Sequence, residues 1–413
     1  MKDNSEKLIV VLTDGMSDYP IAELAGKTPL EYAQTPNLDK LARSGCQGMV
    51  RTIPVGLPPG SDVANLSVMG YDPRIYYSGR SPLEAVSLGI QLNDDDLTFR
   101  CNLVTLSSEE EYSDKRMLDY SADEISTPEA KQLIAAIDQT LGRLPFKFYA
   151  GISYRHVMVW KAGELFEPVL TPPHDISSKV IGEYLPTGEG AKQLIELMKR
   201  SSQILEQHPV NQDRSKNGKG KANSIWFWGA GKKPKLISFS EKYNVSGAVV
   251  CAVDLIRGLG ICAGLIPVAV PGATGGIETN FAGKAQAALH ALEDGRDYVF
   301  IHVESPDEAG HRGDLAKKIW AIEQIDNKLV GELIKGLDGC RYRMLVLPDH
   351  ATPIQERTHV SDPVPFLFYQ SHRLDQGASA FSERTAAASG NFIEEGHELL
   401  NKTIFYSWPD GNY

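Results

Sequence analysis

The chain has few cysteines, no long uninterrupted apolar run and no excess of positive charge. Its five cysteines, Cys46, Cys101, Cys251, Cys262 and Cys340, are widely spaced, odd in number and form no C-x-x-C pair. That usage argues against a disulfide scaffold or a thiolate metal cluster and fits reduced thiols, so a cytoplasmic location is expected. The first apolar run stops at Asp14, too early for a signal peptide, and the longest apolar tract, 247–273, is broken by Asp254, Arg257 and several glycines. No membrane partner is expected. With 42 Lys and Arg against 53 Asp and Glu, the formal net charge is -11, which argues against broad nucleic-acid binding. A Lys/Gly/Asn-rich stretch at 216–221 lacks interleaved aromatics and reads as an exposed flexible loop. There is no internal repeat and no G-x-x-x-x-G-K-[ST] loop, since Gly218-Lys-Gly-Lys221 is too short to cradle a nucleotide phosphate.

What is present is an ordinary globular composition, 42% hydrophobic and 23% charged over 413 residues, enough for two or three domains. Patterning predicts a strand at 8–12, a helix at 35–44 with Pro36 at its start, and a strand at 47–53. A second series begins near Gly247, with helices at 252–259, 283–293 and 315–335 and strands around Val299 and Met344. Between them the pattern changes to short strands at 98–106 and 156–161, helices at 128–141 and 188–207, and a polar stretch at 211–221. Trp226 and Trp228 alternate around Phe227, as strand residues packing on opposite faces do. The expected architecture is one discontinuous α/β domain, 1–81 plus 237–413, whose core sheet carries helices on both faces. It is interrupted by an inserted α+β domain, 82–236, that handles substrate. A site at their junction is expected.

Seven residues stand out: Asp14, Ser61, Asp307, His311, Asp349, His350 and His359. Asp14 closes Leu8-Ile-Val-Val-Leu-Thr13, Asp307 and His311 follow Tyr298-Val-Phe-Ile-His-Val303, and Asp349 and His350 follow Arg343-Met-Leu-Val-Leu347. In an open parallel sheet, ligands gather beyond the carboxyl ends of the strands, so these acids converge on one crevice. Ser61, in Pro58-Pro-Gly-Ser-Asp-Val-Ala-Asn65, sits where a turn opens a helix, and a helix N-terminus favours an incoming phosphate. Carboxylates and imidazoles in this number suit two divalent cations for phosphoryl transfer, which would also make Ser61 a usable nucleophile. The donor set favours Mn²⁺, then Zn²⁺, with Co²⁺ or Mg²⁺ as alternatives. Taken singly, each residue has a plainer reading as a helix cap, a turn residue or a packed histidine. His302 and Glu304, alternating beside the site, read as supporting or packing residues.

The motifs Leu12-Thr-Asp-Gly15, Pro59-Gly-Ser-Asp-Val-Ala-Asn65, Tyr76-Tyr-Ser-Gly-Arg-Ser-Pro-Leu-Glu84, Val303-Glu-Ser-Pro-Asp-Glu-Ala-Gly-His-Arg-Gly-Asp314, Asp349-His-Ala-Thr-Pro353 and Thr358-His-Val-Ser-Asp-Pro-Val-Pro-Phe366 occur in order over nearly the whole chain. On them the chain resembles the cofactor-independent phosphoglycerate mutases of the archaeal type, in the alkaline phosphatase superfamily. The resemblance implies an alkaline-phosphatase-like core and a division of ligands: one cation with Asp14, Ser61, Asp349 and His350, the other with Asp307, His311 and His359. It implies a phosphoserine at Ser61 and interconversion of 3-phosphoglycerate and 2-phosphoglycerate without 2,3-bisphosphoglycerate. For that small phosphorylated substrate, Arg80 and Lys284 are expected at the phosphate. Arg155 and His156, with His174 and Asp175, are expected to hold the carboxylate and relay a proton.

Other functions share these motifs. A phosphotransferase with another acceptor, such as the homoserine kinases proposed for this branch, or a metal-dependent phosphatase would use the same core. A silent binding protein on the same fold would lack one of the seven residues, and none is missing. The oligomeric state is left open by the sequence.

Overall fold

The computed structural model describes residues 6–163, 166–373 and 377–405. Its strands, in chain order, are β1 (Lys7–Thr13), β2 (Cys46–Val50), β3 (Leu97–Leu106), β4 (Met117–Asp119), β5 (Phe146–Ile152), β6 (Arg155–Trp160), β7 (Ser224–Lys232), β8 (Gly247–Val250), β9 (Ile266–Val268), β10 (Tyr298–Val303), β11 (Tyr342–Leu347), β12 (Val364–Gln370) and β13 (Phe392–Ile393). The chain divides into two compact units. One comprises Met1–Tyr77 with Lys235–Tyr413, and the other Ser78–Pro234. Among the described residues, no helix is long and apolar enough to cross a membrane.

The first unit is an α/β structure built on an eight-stranded sheet of order β13-β2-β12-β11-β1-β10-β8-β9. β1 lies between β10 and β11 and is parallel to both, while β12 runs antiparallel to β11 and β2. Every residue of β1 and β10 is buried, which explains their largely apolar sequences: a parallel strand covered on both faces has no polar side to show. Ile9, Val11, Val299, Ile301, Met344 and Val346 pack with helix Phe281–Glu293 and with Ile322, Ile325, Leu329 and Leu333 in one core. The pairing of Thr13 with Val303 and of Leu12 with Leu347 brings three strand ends level. Asp14, Asp307 and Asp349 therefore leave the sheet on the same side.

The loops beyond those ends are tied by a buried ion pair. Lys318, on helix Leu315–Gln324, donates from Nζ to Asp18 Oδ2 at 2.8 Å, to the Ser17 carbonyl at 3.2 Å and to the Thr352 carbonyl at 2.8 Å. Both side chains are fully buried. Glu383 adds acceptors for Thr28 Oγ1 at 2.7 Å and the Asp18 amide at 3.2 Å.

The second unit is an antiparallel five-stranded sheet in which β3 pairs with β6, β7 and β4, and β5 pairs with β6. Phe99, Cys101 and Leu103 on β3 pack with Leu133, Ile134 and Ile137 of helix Thr127–Leu141 and with Leu194, Leu197 and Met198 of helix Ala191–Glu206.

Three elements differ from expectation. The strand expected at 47–53 ends at Val50. The helix expected as one run over 315–335 contains a π-turn at Ile325–Val330, where Asp326 turns inward to cap helix Pro36–Arg43, accepting from the Leu38 amide at 2.7 Å and Asn37 Nδ2 at 2.9 Å. A wide turn of this kind interrupts helices at sites of special demand. The polar stretch at 211–221 is partly helix, Pro209–Lys216, because Arg214 is buried and donates to the Ala122 and Gly220 carbonyls and to Glu129.

Replacing Lys318 by Met leaves the Asp18 carboxylate buried and unpaired, which costs about 3–5 kcal/mol. Urea unfolding of K318M should show that loss, with a milder one in the D18N/K318M double variant. Equal stability of K318M and wild type would remove the pair from the account of the loops.

Candidate active site and metal centre

Two clusters form where the three strands end. Asp14, Asp349 and His350 offer ligand atoms lying within 4.8 Å of one another, as do Asp307, His311 and His359. In the first cluster His350 Nε2 is 3.5 Å from Asp14 Oδ1, 3.4 Å from Asp349 Oδ2 and 3.2 Å from Ser61 Oγ. Ser61 opens helix Ser61–Val68, as the Pro-Pro-Gly turn before it suggested. Asn65, one turn further on, donates from Nδ2 to the Ser61 carbonyl at 2.8 Å and to Asp349 Oδ2 at 2.9 Å. Asp349 Oδ1 accepts from the amides of His350 at 2.9 Å and Gly15 at 3.3 Å. Gly15 has φ +61° and no room for a side chain, since a Cβ would lie 2.6 Å from Asp307 Oδ1.

In the second cluster Asp307 Oδ2 is 3.3 Å from His311 Nε2 and Asp307 Oδ1 is 3.4 Å from His359 Nε2. The two Nε2 atoms are 2.9 Å apart. His311 Nδ1 lies 3.0 Å from the Arg357 carbonyl. A carbonyl can only accept, so Nδ1 carries a proton, and the lone pair of Nε2 becomes available to the cluster once the proton it shares with Asp307 is lost. Behind Asp14, His302 Nε2 approaches Asp14 Oδ2 to 2.8 Å and Glu304 Oε2 to 3.6 Å; these three form a further acidic group sharing Asp14.

The electrostatics show what such a site lacks. Burial pushes Asp14 well above the ordinary carboxylate range, helped by the charges of Asp349, Glu304 and Asp307. Burial and then Asp307 push Glu304 up to about 8. Burial lowers His350 and holds His302 down at about 3. Asp307 goes the other way: burial raises it, but hydrogen bonds from His311 and His359 outweigh that and hold it well below the usual range, while Asp307 raises His311 to about 9. Four crowded carboxylates thus need protons or imidazolium to coexist, and like charges this close cannot all ionise unaided. Asp14 Oδ1 is buried and accepts no hydrogen bond. Surplus carboxylate, bare imidazole nitrogens and an unsatisfied buried oxygen fit divalent cations.

The other expected residues lie in different settings. Lys284 is 1% exposed and donates to the His302 carbonyl at 2.7 Å, with burial lowering it to about 8. It supports the end of β10 and offers no surface to an incoming phosphate, contrary to expectation. His156 also differs: strand alternation turns it inward, its Nδ1 accepts from the Gly151 amide at 3.0 Å, and burial holds it at about 3, so it is neutral and sealed from solvent. Arg155, its neighbour on β6, faces outward. On the second unit Arg100 was not anticipated. Its guanidinium lies 4.0 Å over the Trp228 ring and 3.0 Å from Glu84, and after burial and Glu84 its charge feels Arg80 and Arg155. Arg80 Nε is buried and makes no hydrogen bond. The exposed His174 lies 5.2 Å from Trp228 and 3.7 Å from Asp175. Glu84 pairs with Arg100, while the charges of Arg80 and Arg155 lie close enough for Arg100 to feel them.

The 2,3-bisphosphoglycerate-independent phosphoglycerate mutase family matches residues 42–211. A probable enzyme of that name from Geobacter sulfurreducens is 51% identical over 96% of this chain and 99% of its own length. The chain belongs to that family. Family members are isomerases, and solved structures resemble this chain throughout. A protein from Pyrococcus horikoshii, 32% identical, superposes with a TM-score of 0.82 over 97% of each chain. The cofactor-independent phosphoglycerate mutase of Thermoplasma acidophilum, 25% identical, gives 0.68 over 97% of this chain and 99% of its own. Within this member of the mutase family, Asn65 and Arg100 escaped the sequence reading, though each carried a signal. Asn65 is four residues beyond Ser61 on one helix face, and Arg100 is the one charged residue of β3.

Cations that neutralise the crowded acids should stabilise the fold. Mn²⁺ at 100 times its dissociation constant should add about 2.7 kcal/mol per site, raising the melting temperature above that of chelator-treated protein, and D14N and D307N should each lose part of the gain. Identical melting with and without Mn²⁺ would argue against a metal centre.

Proposed function

We propose that the chain interconverts 3-phosphoglycerate and 2-phosphoglycerate through a phosphoserine at Ser61, without 2,3-bisphosphoglycerate. The observation carrying this reading is the placement of Ser61 Oγ 3.2 Å from His350 Nε2, beside Asp14 and Asp349, at the start of a helix in a member of this mutase family. Asp14, Ser61, Asp349 and His350 would hold one divalent cation and Asp307, His311 and His359 the other, Mn²⁺ being preferred, then Zn²⁺, with Co²⁺ or Mg²⁺ as alternatives. When bound, the cations supply charge neutralisation for the phosphate and acidify the serine hydroxyl.

The residues of the chain do the rest. Ser61 Oγ gives up its proton and forms a bond to phosphorus as the bond from phosphorus to the C3 oxygen breaks, and the C3 oxygen takes up a proton. The glycerate then turns, its C2 hydroxyl gives up a proton as the C2 oxygen bonds to the phosphorus, and the bond from Ser61 Oγ breaks as that oxygen regains a proton. Splitting the transfer in two makes Ser61 Oγ the nucleophile of the first half and the leaving group of the second. Asn65 holds the serine backbone against Asp349 during both, and the first-turn amides of helix Ser61–Val68 favour the phosphate. Arg80 and Arg155 would meet an oxyanion of the substrate, Arg100 being already paired with Glu84. The lowered pKa and burial of His156 support a structural role for it.

Ser61→Ala should abolish isomerisation of 3-phosphoglycerate, followed by phosphorus NMR, while leaving folding intact. Mass spectrometry of quenched wild-type protein should find phosphate on Ser61. Phosphate on a histidine alone would overturn the mechanism, and turnover of homoserine with ATP but not of 3-phosphoglycerate would overturn the substrate.

A further inference from the structure

Thr352, fully buried beyond β11, touches both clusters with one atom. Its Oγ1 is 2.5 Å from Asp307 Oδ1 and 3.2 Å from His350 Nδ1. An ionised carboxylate can only accept, so the hydroxyl donates to Asp307 and its lone pair accepts from His350 Nδ1–H. That fixes the imidazole tautomer: Nε2 is left bare toward Asp14, Asp349 and Ser61. The two clusters also meet where the His350 and His359 rings stack, with centroids 3.9 Å apart.

The surroundings make room for this residue. A Cβ on Gly15 would lie 2.6 Å from Thr352 Oγ1, and one on Gly310 would lie 2.8 Å from its methyl and 2.5 Å from its carbonyl oxygen. Segments following β1 and β10 thus give up side chains where Thr352 enters. Valine would fill the same space, but would leave Asp307 Oδ1 and His350 Nδ1 each short of a partner in a buried site. Shape alone does not account for the hydroxyl.

We propose that Thr352 is a positioning residue joining the two cation sites, its single hydroxyl orienting Asp307 in one cluster and His350 in the other, so that both sites depend on it. The inference rests on the two-cation reading. A partner that orients metal ligands in this way is typically worth about 10–100-fold in metal affinity.

The test is titration of metal-free, full-length protein with Mn²⁺, following the electron paramagnetic resonance signal of the free ion. His359→Ala, which removes a ligand from one cluster only, assigns the binding steps. Wild type should show two steps. Thr352→Ser, which keeps the hydroxyl, should match it, whereas Thr352→Ala and Thr352→Val should weaken both steps by about 10-fold or more. Ser and Ala variants that behave alike would show that only packing matters and overturn the proposal. So would weakening of one step alone, since Thr352 would then serve a single cluster. If Val does not fold, the Ser and Ala pair, differing by one hydroxyl, decides. If neither Ala nor Val folds while Ser does, the hydroxyl serves the fold and the proposal falls. Absence of Mn²⁺ binding by wild type would overturn the two-cation reading and this inference with it, whereas two wild-type steps unaffected by all the variants would overturn this inference alone.

Discussion

Mutual repulsion among Asp14, Glu304, Asp307 and Asp349 is the constraint around which the first unit is organised. Three parallel strands deliver these acids to one crevice with little access to water, where an uncompensated charge is costly. The protein answers partly by itself. His311 and His359 hold Asp307 ionised, while Asp14 and Glu304 are driven toward their neutral forms. Such a cluster is poorly suited to a purely structural role, because apolar residues at the strand ends would be as stable and simpler. It makes sense as a receptacle for cations.

Holding the acids in place takes more than the strands. Loops beyond β1 and β11 are fastened by Lys318, whose ammonium joins Asp18 to two backbone carbonyls. Helix Ser61–Val68 is fastened by Asn65, which bridges the serine backbone and Asp349. Gly15 lets the chain pass close to Asp307 where any side chain would collide. Each contact fixes position without itself entering the chemistry, which suits a reaction governed mainly by alignment and charge.

That Asp14, Asp307 and Asp349 would meet was legible in the sequence, because continuous apolar runs ending in acids mark buried parallel strands and the side on which they open. Ser61 at a helix start was legible from Pro58-Pro-Gly60. What escaped depended on contacts between distant segments. The Thr352 hydroxyl looks like any threonine after a strand until Asp307 and His350 flank it, and Lys284 looks like a free cation until the fold buries it under His302. His156 and Arg155 are adjacent in sequence, yet strand alternation sends one inward and the other out. The π-turn at Ile325–Val330 is invisible to periodicity because the apolar spacing of that helix continues through it.

The positions at which cations bind decide most directly whether the two clusters are metal sites. Anomalous diffraction from crystals grown with Mn²⁺ should show two peaks per chain, one within coordination distance of Asp14, Asp349 and His350 and the other of Asp307, His311 and His359. A single peak, or peaks away from these side chains in a protein that still isomerises 3-phosphoglycerate, would contradict that assignment.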